Sequence, residues 1–304
     1  MRILVVYGGI SEEREVSLCS GVRVSEALRS AGHEVQEMRV DTELPEEGVL
    51  AQAREADSVF LCLHGGAGED GRWQQALEAG GVWHYTGSGP AASALAMDKP
   101  RAKGVVERQS VPTATGCVWR VGEMAPSLPY PFIVKPCNGG SSVGFRVIKG
   151  ERDLGKITPS ADLLCETYLP GREYSVAVWN GRALPPIEIR PRGGLYDYAH
   201  KYEPGASEEI CPAPLPLAEL ARLQDLALVC FFALGLRDFA RIDFKENGWG
   251  EPCFLEANTL PGMTATSLFP LAARTVGISM EGLCEGIAQK SAERKNKKIN
   301  KLGG

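Results

Sequence analysis

Apolar and polar positions follow two different rhythms along this chain, and the change between them divides it. The opening Arg2-Ile3-Leu4-Val5-Val6-Tyr7 is a nearly continuous apolar run that stops at Gly8-Gly9, the pattern of a strand buried on both faces that feeds a helix. Ser11 stands where an N-cap belongs, apolar or small residues recur at Val16, Cys19, Val22, Ala27 and Leu28, and Gly32 is placed to end the helix. A strand over 33–40, a helix over 49–56 and another apolar strand over 58–63 follow. This β-α-β order predicts a doubly wound, Rossmann-like domain over residues 1–95.

Beyond Met97 strands predominate. A polar helix over 98–109 leads through Val111-Pro112 and a proline-rich turn to a strand over 131–135, a glycine loop at 139–144, and strands over 145–148 and 163–166. These make a central unit, residues 96–171. From about Arg172 antiparallel strands, a helix over 217–236, strands over 238–245 and 253–258, and closing helices form a third unit, 172–290. Residues 291–304 are Lys-rich and nearly devoid of apolar side chains, which predicts a basic disordered tail.

Composition narrows the function classes. A net charge near −5 gives no electrostatic footprint for nucleic acid. No segment approaches the ~18 apolar residues of a membrane span, and the N-terminal residues carry no export signal, so a soluble, cytoplasmic protein is expected. The 9 cysteines show no CxxC pairing and read as reduced thiols, most of them small apolar fillers.

Two local patterns carry chemistry. In Arg241-Ile242-Asp243-Phe244 and Phe254-Leu255-Glu256-Ala257-Asn258, residues two apart share a strand face. If those strands pair, Asp243, Glu256 and Asn258 gather hard oxygen donors beside a guanidinium, a set that suits Mg²⁺; the bland alternative is a solvated sheet edge with surface ion pairs. Lys135-Pro136 before the glycine loop offers a positive charge and close-approaching backbone amides for phosphate oxygens, or else an ordinary flexible hairpin. Its spacing matches neither the P-loop nor the dinucleotide fingerprint.

Taken together, Gly8 to Ser17, His64 to Gly71, Tyr85 to Gly89, Met97-Asp98-Lys99, Lys135 to Gly144, Tyr196 to Tyr202 and Arg241 to Thr264 make the chain resemble the D-alanine-D-alanine ligases of the ATP-grasp superfamily along nearly its full length. The resemblance implies a pre-ATP-grasp N-terminal domain followed by a two-part ATP-grasp fold. It implies ATP-dependent joining of two D-alanine molecules through an acyl phosphate, for peptidoglycan precursor synthesis. Two Mg²⁺ ions, or Mn²⁺ in their place, would be held by Asp243, Glu256 and Asn258. Arg241 and the Gly262 amide would meet the acyl phosphate and the oxyanion. Lys99 and Lys135 would hold ATP phosphates, and Ser142 and Lys201 would also bind ATP; Tyr168 and Leu169 would belong to the nucleotide pocket, with Glu166 at adenine and Glu173 at ribose. Glu13, Ser141 and Tyr202 would form a hydrogen-bonded set at the first D-alanine, with His64 near its carboxylate. Ser267 and Leu268 would hold the second. Residues 196–211 would form a loop closing over the site, and a homodimer is implied. The chain is shorter than many relatives around 122–131 and 149–162. A ligase using D-serine or D-lactate second, or a catalytically silent nucleotide binder, are the alternative readings.

Overall fold

The computed structural model describes residues 1–140, 144–191 and 207–302. Three sheets organise them. In the first, β1 (Arg2–Gly8) runs parallel to β2 (Glu34–Val40) on one side and β3 (Ser58–Leu61) on the other. Ile3 to Val6 are buried throughout because both faces are covered, whereas β2, at the edge, alternates with exposed positions. Helices α1 (Arg14–Ser30), α2 (Glu47–Glu55), α3 (Arg72–Ala79) and α4 (Pro90–Met97) belong to this part of the chain; the last two were not anticipated. Helix α1 begins three residues after Ser11. The Ser11 hydroxyl donates to the His64 carbonyl at 2.5 Å and accepts the Glu13 N–H at 3.2 Å, so it ties two loops together instead of capping the helix.

Helix α5 (Lys99–Glu107), capped at its N-terminus by the Asp98 carboxylate, leads into a four-stranded antiparallel sheet. Its order is β4 (Gly116–Trp119), β7 (Leu163–Thr167), β5 (Phe132–Pro136), β6 (Arg146–Ile148), with the single-turn α6 (Glu151–Leu154) before β7. Its small core is Trp119, Phe132, Val134, Ile148 and Cys165.

The third sheet is antiparallel, in the order β11 (Ser207–Ile210), β10 (Ile187–Pro191), β8 (Glu173–Trp179), β12 (Phe239–Glu246), β13 (Pro252–Asn258), with β9 (Arg182–Ala183) hairpinned onto β8. Period-two alternation sends Ile242 and Phe244 into a core shared with α7 (Leu217–Ala233), α4 and α5. Arg241, Asp243 and Lys245 therefore point to the opposite face.

The chain closes with α8 (Leu268–Thr275) and α9 (Met280–Leu302), and here the expectation of a disordered tail from residue 291 is corrected: the helix continues through Leu302. Leu283, Cys284, Ile287 and Ala288 are fully buried in one core with β1 and β3. Past them, Ser291 is buried with its hydroxyl 2.5 Å from that of Ser58, and Lys295 donates to the Ala56 carbonyl at 2.5 Å. Arg294 grips Asp238 through both carboxylate oxygens, at 2.8 and 2.7 Å, and donates to the carbonyls of Trp83 and Tyr85. Composition alone suggested a solvated segment because the partners that hold it lie far along the chain, Asp238 56 residues away and the others more than two hundred. Among the described residues no helix is long and apolar enough to cross a membrane. All described cysteines are free; most are buried, but Cys19 and Cys117 are exposed, so the reading as apolar fillers does not hold for these two.

Candidate active site

A cleft of about 550 Å³ is walled by residues from all three sheets and their loops. At its floor β12 pairs with β13 so that Arg241 faces Asn258 and Asp243 faces Glu256. The pairing that the face argument required is thus present, with all four residues lining the cleft. Arg241 donates to Asp243 through two nitrogens, Nε at 3.0 Å and Nη2 at 2.8 Å. The Ser175 hydroxyl on β8 donates to Asp243 at 2.7 Å, so two adjacent strands hold this carboxylate. A carboxylate retains several acceptor positions beyond such bonds. Two carboxylates and an amide oxygen suit a hard divalent cation that takes its remaining oxygens from phosphates and water. Among the described residues no three or more His, Cys, Asp or Glu are gathered closely enough to hold a metal ion by themselves.

One end of the cleft is built on the first sheet. Glu13 follows β1, and its carboxylate lies against the glycines of two other loops: a Cβ on Gly65 would come within 2.8 Å of Glu13 Oε2, and one on Gly140 within 3.5 Å. His64 is buried with Nε2 3.1 Å from the Ser20 hydroxyl, and burial drops its pKa to about 4, with Glu13 pulling the other way, so the imidazole is neutral near pH 7. Ser20 Oγ also accepts the Met263 N–H at 3.2 Å, joining helix α1 to the turn after β13. A side chain on Gly262 in that turn would have to move the Ser267 hydroxyl, since a Cβ would sit 2.7 Å from Ser267 Oγ. Ser267 Oγ accepts the Thr264 N–H at 3.0 Å, and Leu268 opens α8 beside it. Glu69 completes this end: buried, with Oε2 accepting the Gly65 N–H at 2.6 Å, its pKa is raised to about 8 by burial and then by the Glu13 charge.

At the other end Glu166 on β7 is almost wholly buried between two ammonium groups. Lys135 Nζ is 2.8 Å from Oε2, and Lys103 Nζ pairs with Oε1. Burial pushes the Glu166 carboxyl up, but the two lysines outweigh it and hold it below its ordinary value. Lys135, expected at phosphates, lines the cleft and pairs with Glu166. Ile133, Leu169, Leu255 and Tyr168 add the apolar walls, and Glu173 pairs with Lys245 at 2.9 Å. Lys99 lies between the two ends, its ammonium bonded to the Gly139 carbonyl and 3.7 Å from Glu256.

Ser141, Ser142, Lys201 and Tyr202, with most of the 196–211 loop, lie outside the described residues. Ser20, Glu69 and Lys103 were missed. Glu69 sits within the quoted His64 to Gly71 stretch, but nothing local marked it as buried; Ser20 and Lys103 carried no signal short of the fold.

The family model described as "D-ala D-ala ligase C-terminus" matches residues 108–289. A D-alanine--D-alanine ligase of Oleidesulfovibrio alaskensis is 43% identical over 297 residues, covering 93% of this chain and 94% of that protein. The Methylacidiphilum infernorum protein of the same name is 40% identical over 292 residues, 94% of each. Among solved structures, D-alanine--D-alanine ligase from Bacillus anthracis complexed with ATP superposes with a TM-score of 0.84 at 28% identity, covering 98% of this chain and 99% of that one. The VanG D-Ala:D-Ser ligase of Enterococcus faecalis gives 0.81 at 26%, with 95% and 99% covered.

Proposed function

The chain belongs to the D-alanine–D-alanine ligase family, and from that membership we infer that it joins two D-alanine molecules with cleavage of ATP to ADP and phosphate, in the synthesis of peptidoglycan precursors. The observation that carries the site assignment is the facing of Arg241 and Asp243 with Asn258 and Glu256 at the floor of one cleft. An end with Glu13, His64 and Glu69 lies on one side of this floor, and an end with Glu166, Lys135 and the apolar walls of Ile133, Leu169 and Leu255 on the other.

In this reading the first D-alanine places its ammonium at Glu13, and a carboxylate oxygen attacks the γ-phosphorus of ATP, releasing ADP and leaving an acyl phosphate. The amine of the second D-alanine, deprotonated, then adds to the acyl carbon, and the tetrahedral intermediate expels phosphate as the peptide bond forms. No protein nucleophile is needed, so the chain contributes orientation and charge. Arg241 supplies fixed donors toward the acyl phosphate and the oxyanion, pre-aimed by Asp243, and the Gly262 N–H adds a second donor. Ser267 and Leu268 position the second substrate; His64, neutral and pinned by Ser20, shapes the first subsite without adding charge. Lys99 meets ATP phosphates, Glu166 and Lys135 meet adenine with Tyr168 and Leu169 against its faces, and Glu173 meets ribose. Asp243, Glu256 and Asn258 would hold Mg²⁺, two ions in all, which when bound neutralises charge on the transferred phosphoryl group. The roles of Ser141, Ser142, Lys201 and Tyr202 stay as the resemblance implies. A cytoplasmic homodimer completes the proposal.

Phosphate release with ATP, Mg²⁺ and D-alanine, run beside L-alanine and Arg241→Ala, tests this. D-alanine-dependent release with D-alanyl-D-alanine as product, lost in the variant, is expected. A higher rate with D-serine or D-lactate as second substrate would move the chain to the other branch of the family, and no turnover despite ATP binding would overturn the catalytic assignment.

A further inference from the structure

We propose that Lys103, which does not line the cleft, is the positioning residue that sets selection of adenine over 6-oxopurines, by holding Glu166 in place from behind; the proposal rests on Glu166 and Lys135 reading the base.

Lys103 stands one helical turn after Lys99 on α5, so the two ammonium groups leave the same face of one helix. They serve different places. Lys99 reaches the cleft, whereas Lys103 is buried beneath it, donating to the Phe254 carbonyl of β13 at 3.3 Å and pairing with Glu166 Oε1. Glu166 is thereby gripped on each oxygen by a different lysine; of the three side chains Lys135 and Glu166 border the cavity, Glu166 from a nearly closed position with 1% of its surface exposed, and Lys103 does not. Strand β4 adds a steric constraint. Gly116 pairs with Glu166, and a Cβ there would come 2.8 Å from Glu166 Cγ, so this position leaves the carboxylate the room it occupies.

The charge count explains why a second lysine is useful. With one ammonium alone, the buried carboxylate would monopolise it. With two, Lys103 satisfies Oε1 and Lys135 can turn an N–H toward a ligand acceptor while Glu166 keeps a free lone pair for a ligand donor. Adenine presents that pair on one edge, the N7 acceptor beside the N6 donor, whereas guanine presents acceptors at both positions. Hypoxanthine shares that 6-oxo arrangement. Lys103 thus touches no substrate but fixes the carboxylate that tells amino from oxo.

The test uses the full chain and follows phosphate release with D-alanine and either ATP or inosine triphosphate. Lys103→Met and the milder Lys103→Gln, whose amide can still donate to one partner, are compared with wild type and Glu166→Gln, each checked by thermal melting. Both Lys103 variants are expected to lower the ratio of kcat/KM for ATP to that for inosine triphosphate about tenfold, chiefly through KM for ATP. The KM for D-alanine should move far less. If Glu166→Gln keeps the wild-type preference, it is the base-reading role of Glu166 that fails. If Glu166→Gln loses it while folded Lys103 variants keep it, or lose activity equally with both nucleotides, Lys103 has no part in selection and the proposal is overturned. It is overturned too if neither Lys103 variant folds, since Lys103 would then be an ion required by the core.

Discussion

Glu69 is the buried acid whose behaviour the geometry constrains most tightly, and Glu69→Gln is the perturbation that exposes it. Its pKa of about 8, raised by burial and by Glu13 against an ordinary 4.5, means that the folded chain keeps a proton that the unfolded chain releases. The contribution of this group to stability is therefore fully present below pH 4.5 and is lost as pH rises toward 8. Each pH unit in that window removes about 1.4 kcal/mol, so the loss reaches about 3 kcal/mol at pH 7 and about 5 kcal/mol at pH 8. Glutamine imitates the protonated acid: its carbonyl can accept the Gly65 N–H that Oε2 now accepts at 2.6 Å, and its amide donates where the carboxyl proton would, but it does not titrate. Wild type and variant should melt together near pH 5, and the variant should pull ahead by several degrees at pH 8, at about 2 °C per kcal/mol for a chain of this size. Thermal unfolding from pH 5 to 8 without nucleotide reads this directly. Parallel curves, with no widening gap, would refute the idea that Glu69 enters the fold protonated. The functional corollary is that Glu69→Gln retains activity at pH 7, because the wild-type group is already neutral there.

Other consequences are read more quickly. Arg294→Ala strips the buried Asp238 carboxylate of its bidentate partner and should cost about 3 kcal/mol, visible as a fall of about 6 °C in the melting temperature; an unchanged melt would mean that α9 is not docked past residue 290. Gly262→Ala must displace the Ser267 hydroxyl from 2.7 Å, so kcat/KM for D-alanine should fall by about tenfold or more, the loss expected when one oriented donor is misplaced, with little change in melting temperature. Asp243→Asn removes the charge that grips Arg241 and one expected Mg²⁺ donor, so the Mg²⁺ concentration for half-maximal rate should rise at least several-fold in a titration of phosphate release. His64→Gln should leave the shape of the pH–rate profile between 6 and 8 unchanged, because an imidazole with a pKa of about 4 does not titrate there.

How much of this could be read before folding depends on how far each fact reaches along the chain. The facing of Arg241 and Asp243 with Asn258 and Glu256 follows from strand periodicity and a five-residue hairpin connection, so it was visible locally. The first strand and its loop carboxylate were visible for the same reason. Strand β4 was missed because four residues, Gly-Cys-Val-Trp, carry too little periodicity to register, although its glycine is what leaves room for Glu166. Ser20, Glu69 and Lys103 are ordinary polar residues in helices and turns until Met263, Gly65 and Glu166 are brought to them. Lys103 shows the general point most plainly. Adjacent in pattern to Lys99 and identical in type, it differs only in which side of β7 and β13 it meets, and that choice is made by packing between segments sixty and one hundred and fifty residues away. A site's contact residues can thus be marked by local pattern while the ions that hold them in place are not, because burial of a charge is a property of the assembled core.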